Sequence, residues 1–105
     1  MKTAIYTLYQ SRELQRMKFF VNNIYGQLNE NRQLFVIIND IKCDQFSEFV
    51  YELNYVNVFC LGRNLGVASG RNFLIHEGLK RNFEFFVSCD NDIIFPNDYF
   101  IKLET

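Results

Sequence analysis

Two aspartates two residues apart, Asp90 and Asp92, close the apolar run Phe85-Phe86-Val87-Ser88-Cys89. Where a buried strand gives out into Asp90-Asn91-Asp92, two hard oxygen donors occupy one compact corner. Such a corner suits a divalent cation that keeps open positions for phosphate oxygens. Open α/β sheets bind their ligands at the carboxyl ends of strands. Asn39-Asp40 ends a second apolar run in the same way. In a parallel sheet both ends emerge on one edge, so three carboxylates are expected to share a cleft. Carboxylates that close repel one another unless a cation lies between them. The competing reading of Asp90-Asn91-Asp92 is turn chemistry, which favours the same residue types.

Upstream lies Gly62-Arg63-Asn64-Leu65-Gly66-Val67-Ala68-Ser69-Gly70-Arg71-Asn72. Glycines let a backbone approach a ligand, and the first amides of a helix attract phosphate. Arg71, near the start of the helix expected here, could pair with phosphate or with the acidic pair. The plainer alternative is a tight turn and helix start, with Arg71 as a buried ion-pair partner. Neither G-x-x-x-x-G-K-[ST] nor G-x-G-x-x-G is present, which disfavours the P-loop and dinucleotide readings.

The remaining reactive side chains carry less. His76 is the single histidine and falls in mid-helix, so a surface or satisfied core role is expected. Tyr6, Tyr9 and Tyr25 read as core or rim aromatics, although Tyr9 ends a strand and could approach a nucleobase. Cys43, Cys60 and Cys89 have neither zinc spacing nor a disulfide framework. Cys60 and Cys89 fall in apolar runs and read as small buried hydrophobes. A reducing cytoplasm is the setting this usage implies.

Composition sets the outer limits. The chain has 105 residues, enough for one domain over 1–105. It is 49% hydrophobic and 17% aromatic, with twelve Phe, six Tyr and no Trp, so it can bury a real core. A net charge of -1 argues against binding a nucleic-acid backbone, which needs a basic excess. No apolar run approaches the ~20 residues that span a bilayer, and the N-terminus has no signal-type segment.

The elements that must position these residues alternate. Residues 4–9 are β-branched and aromatic and read as a strand. Ser11 offers a cap for a helix whose stripe is Leu14, Met17, Val21, Ile24, Tyr25 and Leu28, stopped by the polar residues 29–32. Residues 34–38 form a continuous apolar run, as in a strand covered on both faces. Asp44 is a plausible cap for a short helix carrying Phe46, Phe49, Val50 and Leu53. Residues 56–61 read as a third strand. A helix over 68–80 follows, with Leu74, Gly78 and Leu79 inward and Asn82 as its stop. Residues 83–89 read as a fourth strand, and Pro96-Asn97 opens a helix over 98–103. Strand and helix in strict alternation predict an α/β sandwich with a mostly parallel sheet.

Asn64-Leu65-Gly66-Val67-Ala68-Ser69-Gly70-Arg71-Asn72, then a helix and a hydrophobic strand ending in Asp90-Asn91-Asp92, resembles the family-2-type glycosyltransferases of the GT-A fold. Their signature is an Asn-x-Gly-x-x-x-x-Arg-Asn segment followed by a D-x-D motif. The resemblance covers nearly the whole chain and implies a three-layer α/β/α sandwich, the N-terminal, nucleotide-sugar-binding part of a longer catalytic domain. It implies that Asp90 and Asp92 hold a divalent cation, Mn or Mg, on the diphosphate of a nucleotide sugar, with Asp90 also near the ribose. It places Arg71 and Gly66 beside the diphosphate, and Tyr9 and Asp40 around the nucleobase, usually uracil. The acidic pair usual after the second strand reads Asn39-Asp40 here, and Ile41-Lys42 replaces the Gly-Ser that follows.

The implied reaction is glycosyl transfer from a UDP-sugar to a glycan, lipid or protein acceptor, in the cytoplasm or at the cytoplasmic face of a membrane. The family's catalytic base comes after the D-x-D motif. Asp98 and Glu104 are more simply helix-cap and surface residues, so the base is expected beyond Thr105. The chain then reads as truncated, and an exposed sheet edge would favour self-association. A non-catalytic nucleotide-binding module is the rival reading. A haloacid-dehalogenase-type phosphatase also uses D-x-D at a strand end, but places it early and follows it with Thr or Val where this chain has Ile94.

Overall fold

The structure is a computed structural model and describes residues 2–40, 42–63 and 66–104. Among these residues four strands and four α-helices alternate: β1 Thr3–Tyr9, α1 Leu14–Ile24, β2 Arg32–Ile38, α2 Asp44–Val50, β3 Val56–Cys60, α3 Val67–Lys80, β4 Phe85–Ser88 and α4 Tyr99–Glu104. Short 3₁₀ turns, Ser11–Glu13 and Tyr25–Gln27, flank α1. The strands form one sheet in the order β3-β2-β1-β4, and every pairing is parallel.

Period-2 patterning assigns the two faces of the sheet. Ile5 and Tyr9 of β1 and Leu34, Val36 and Ile38 of β2 pack with Met17, Phe20, Val21 and Ile24 of α1 and with Phe46, Phe95 and Phe100. Ala4 and Tyr6, with Phe35 and Ile37, pack on the other face with Leu74 of α3 and Phe83. The sheet is therefore the middle of three layers. β2 is apolar along residues 34–38 because both of its faces are covered.

α3 approaches the sheet through residues four apart, which share one helix face. A Cβ on Gly70 would overlap the Leu8 side chain, and one on Gly78 would overlap the Phe86 ring. Leu74, between them, is fully buried. These glycines serve close packing between helix and sheet.

Several local expectations shift. α1 ends at Ile24, and the polar stretch that was to end it contributes Arg32 to β2. Arg32 is buried because its guanidinium donates to the Gln27 carbonyl (2.7 Å). Phe20, outside the expected stripe, is fully buried, because the covered face of α1 is wider than the stripe. Asp44 is the first residue of α2 and Cys43 holds the cap position. Leu79 faces outward at 59% exposure, since Leu74 and Gly78 already define the inner face. Asn82 ends α3 with φ 65°, as a left-handed stop requires. β4 is shorter than the apolar run, beginning at Phe85.

Beyond β4 the chain is tied back to the end of α1. The Asn23 side-chain oxygen accepts from Phe95 N–H (2.9 Å). Gln27 donates to the Pro96 carbonyl (2.6 Å) and accepts from Phe100 N–H (3.0 Å). No helix among the described residues is long and apolar enough to cross a membrane.

Candidate functional site

Strand register fixes where the acidic residues emerge. Tyr9 lies opposite Ile38, and Ile38 opposite Cys60, so β1, β2 and β3 end level with one another. Ser88 lies opposite Tyr6, three residues before the end of β1. The chain after β4 therefore climbs beside residues 7–9 and delivers Asp90-Asn91-Asp92 to the rim that carries Asn39-Asp40. The order β3-β2-β1-β4 means that the chain leaves β1 toward β2 and returns on its other side as β4. The gap between β1 and β4 is a topological switch point, where open α/β sheets form their ligand crevice.

Asn91 fastens the acidic corner. Its side-chain amide donates to the Leu8 carbonyl (2.9 Å), and its own carbonyl accepts from the Tyr9 hydroxyl (3.1 Å). Arg16 reaches the Asn91 side-chain oxygen at 3.4 Å. Held by its middle residue, the corner leaves Asp90 and Asp92 exposed on either side. In the sequence the two carboxylates stand out and Asn91 between them does not. Its signal was a side chain able to pair with a strand carbonyl, on a residue flanked by two potential ligands.

Tyr9 does not present its ring to the rim. It is 1% exposed, and packs on Phe46 with centroids 6.5 Å apart. Burial pushes its phenol above the ordinary value, and its hydroxyl is committed to Asn91. The expectation that its side chain lines a nucleobase pocket is corrected on that ground: its ring is core, and its hydroxyl is a fastening.

Asp40 is half-buried and built into its surroundings. Its Oδ2 accepts from both the N–H (3.1 Å) and the hydroxyl (2.7 Å) of Ser11, at the turn that follows β1. Ser11, read in the sequence as a helix cap, thus links the ends of two strands. Beside this link opens a cleft of about 410 Å³ lined by Ser11, Arg12, Lys42, Asp44, Gln45 and Phe46. Arg12 and Lys42 were not anticipated as lining residues; only the topology brings residues 11–12 and 42–46 together.

The three carboxylates share an edge and not a cluster. Among the described residues, no group of three His, Cys, Asp or Glu is placed to hold one ion. β1 stands between Asp40 and the Asp90/Asp92 corner, so mutual repulsion of three carboxylates supplies no argument for a cation. Asp90 and Asp92 by themselves remain a fitting donor set: exposed, hard and separated by one residue, with the other positions of Mn or Mg left to water and phosphate.

Gly66 caps α3 in a left-handed conformation, φ 85°, and is exposed. Gly62 also has positive φ, 79°. Arg71 lies in the first turns of α3 and is exposed, which removes the reading of it as a buried ion-pair partner. Asn64 and Leu65, the head of the Asn-x-Gly segment, lie outside the described residues. His76 is exposed on α3, as expected of a surface histidine. Asp98 precedes α4 and pairs with Lys102 at 3.0 Å, as expected of a helix-end surface residue.

The thiols depart from expectation. Cys60 ends β3 exposed, since β3 is an edge strand. Cys43 and Cys89 are half-buried. The Cys89 thiol is pushed up to about 12, first by burial and then by the charge of Asp90.

No family model matches the chain, and no curated protein matches it in sequence. Solved structures do resemble it. A crystal structure of S. aureus TarS residues 1–349 aligns with TM-score 0.74 and 14% identity over 99% of this chain and 31% of that one. A second S. aureus TarS structure aligns with TM-score 0.77 and 16% identity, over 99% of this chain and 19% of that one. The chain thus spans a third or less of these two structures. The likeness is one of fold: a four-stranded parallel sheet flanked by helices, the GT-A architecture.

Proposed function

We propose that this chain is the donor-binding part of a family-2-type glycosyltransferase and takes a nucleotide-diphosphate sugar, with UDP as the nucleotide. The observation that carries the proposal is the corner at the switch point, where Asn91 is pinned to Leu8 and Tyr9 and the flanking carboxylates stay exposed. Around it lie the parts a diphosphate needs. Asp90 and Asp92 hold the divalent cation. Arg71, in the first turns of α3, adds positive charge beside the phosphates. Gly66 allows the backbone to come close. The Asp40–Ser11 rim, with the cleft next to it, takes the nucleobase.

When bound, the cation supplies neutralisation of the leaving diphosphate, which requires no proton donor. Asn91 and Tyr9 keep the two carboxylates oriented before the ligand arrives, and preorganisation of this kind lowers the cost of binding. The acceptor site and the base that deprotonates the acceptor hydroxyl are assigned to no residue of this chain. The cysteine chemistry suits a reducing cytoplasm, and the acceptor is a glycan, lipid or protein.

Calorimetry with UDP and manganese tests the proposal. Substitution of groups that merely support metal ligands costs roughly 10–100-fold in affinity. Asp92→Ala, which removes a ligand, is expected to lose at least that much manganese-dependent UDP binding while the circular dichroism spectrum stays unchanged. UDP binding of equal strength in the variant, or binding indifferent to manganese, overturns the assignment. A donor-hydrolysis assay on the same samples separates a transferase from a module that binds without turnover.

A further inference from the structure

β3 ends at Cys60, opposite the end of β2, and the chain that leaves β2 returns to the same rim at Cys43, just before α2. Strand pairing thus brings together two cysteines seventeen positions apart in sequence. The Cys60 Sγ donates to the Asp40 carbonyl (3.5 Å), and the Cys43 thiol is hydrogen-bonded to Cys60. The result is a short relay from Cys43 to Cys60 to the backbone of Asp40, at the rim where the cleft opens. Cys89, beside β1 on the far side of the sheet order, takes no part in it.

Two thiols that meet at one rim, within hydrogen-bond reach of each other, can close to an S–S bond of about 2.05 Å by rotation of their side chains. The exposures are unequal: Cys60 is open to solvent and Cys43 half-buried. We infer that Cys43 and Cys60 form a reversible intramolecular disulfide, a thiol–disulfide site that fastens the start of α2 to the end of β3 and changes how Asp40 is held.

The chemistry balances with a low-molecular-weight disulfide as the oxidant. The Cys60 thiolate attacks one sulfur of the external disulfide, whose S–S bond breaks and releases one thiolate. Cys43 then attacks Cys60 Sγ, and the second external thiolate leaves. Two protein thiols are oxidised, one external disulfide is reduced to two thiols, and the two protons lost by the protein are taken up by the leaving thiolates. The order follows access. Cys43 is a poor first nucleophile, its thiol being pushed up to about 11, first by burial and next by its hydrogen bond to Cys60. Once Cys60 is in the mixed disulfide, that hydrogen bond is gone and Cys43 becomes the resolving thiol.

Oxidation removes the S–H that Asp40 accepts and ties residue 43 to the strand end. The Asp40–Ser11 link and Lys42, on the cleft wall, lie in the segment so constrained. A consequence for ligand affinity rests on the donor-binding function proposed above; the disulfide itself does not.

The test treats the full chain with oxidised glutathione and reads intact mass, thiol count and the cross-linked peptide after digestion. Expected is the loss of two hydrogens, a Cys43–Cys60 linked peptide and one remaining thiol, Cys89. Cys43→Ser and Cys60→Ser each abolish the linkage, Cys89→Ser leaves it, and urea removes its selectivity. Glutathione retained on Cys60 without an internal bond overturns the site, as does a linkage through Cys89 in the folded protein. A trivalent arsenical, which bridges only neighbouring thiols, is expected to protect both cysteines from alkylation, and failure to do so counts against their proximity. Manganese–UDP calorimetry on the two redox forms reads the coupling, expected at about fivefold or more. Equal affinity in both forms removes the regulatory consequence. If neither form binds UDP while the disulfide still forms, the donor-binding proposal falls and the thiol site stands.

Discussion

The two acidic rims of this sheet are built to opposite designs. Asp40 follows a central strand and is half-buried, with two hydrogen bonds from Ser11 on one carboxylate oxygen. Asp90 and Asp92 follow an edge strand and are exposed, and only the residue between them is pinned. At the first rim the protein itself occupies the carboxylate; at the second it fixes the backbone and leaves the carboxylates to solvent. The difference teaches that preorganisation can be applied to a side chain or to its support. A rim of the first kind shapes a surface, and a rim of the second kind awaits a ligand that completes it.

The strongest way to break this comparison is to remove the support common to both rims. α3 lies against β1 and β2 only because Gly70 has no side chain: a Cβ there overlaps Leu8, and Ile37 stands 3.7 Å away. Gly70→Val forces either a shift of the helix or a repacking of Leu8. Overpacking of this kind costs about 1–3 kcal/mol, and the loss is expected in the urea midpoint. Unchanged stability would mean that the helix is less closely seated than the Gly70–Leu8 approach indicates.

The first rim is sharpened by Ser11→Ala, which removes the hydroxyl donor and keeps the N–H. A hydrogen bond to a charged group contributes roughly 1.5–3 kcal/mol, and less where water can replace it. Half-buried Asp40 is therefore expected to lose about 1 kcal/mol in the same measurement. Ser11→Thr, which retains a hydroxyl, should recover most of the loss. If alanine and threonine behave alike, Asp40 is held by the backbone alone.

Much of this was legible in the residues themselves. Strand–helix alternation and the apolar run at 34–38 are direct consequences of periodicity and of burial on two faces, and the elements lie where that pattern predicts. The Asp90-Asn91-Asp92 corner was legible as well, because a strand end in an α/β sheet is a special place whatever the sequence. Pairings across the rim were hidden. Ser11 with Asp40, Asn91 with Leu8 and Tyr9, and Cys43 with Cys60 join residues that strand order alone makes neighbours. Tyr9 shows the limit most clearly: a strand-end aromatic can turn inward or outward, and only the ring of Phe46 and the carbonyl of Asn91 decide it.

Tyr9→Phe probes the support of the second rim. Losing one hydroxyl while keeping the ring is expected to cost about 1 kcal/mol. The same variant carries a pH signature. Burial raises the Tyr9 phenol above its ordinary value of about 10, so the folded protein keeps its proton where the unfolded chain has begun to lose it. The stability this contributes is complete below pH 10 and declines as pH rises above it. The half-buried Cys43 and Cys89 thiols are raised as well, so urea midpoints at pH 9 and pH 11 should diverge in the parent and diverge less in Tyr9→Phe. A parent whose midpoint is flat across that interval would place the phenol in water.

The smallest expected effect is the most discriminating for the comparison itself. Asp90 and Asp92 are exposed, and surface substitutions away from caps, cores and networks change stability by less than about 0.5 kcal/mol. Asp90→Ala and Asp92→Ala should each unfold at the parent's urea midpoint in the absence of ligand. Added manganese and UDP should then raise the parent's midpoint and leave the variants where they were, because a ligand stabilises only the state that binds it. A large loss without ligand would show that the carboxylates, like that of Asp40, are already part of the protein's own bonding. The contrast between a rim that is filled and a rim that is kept open would then disappear.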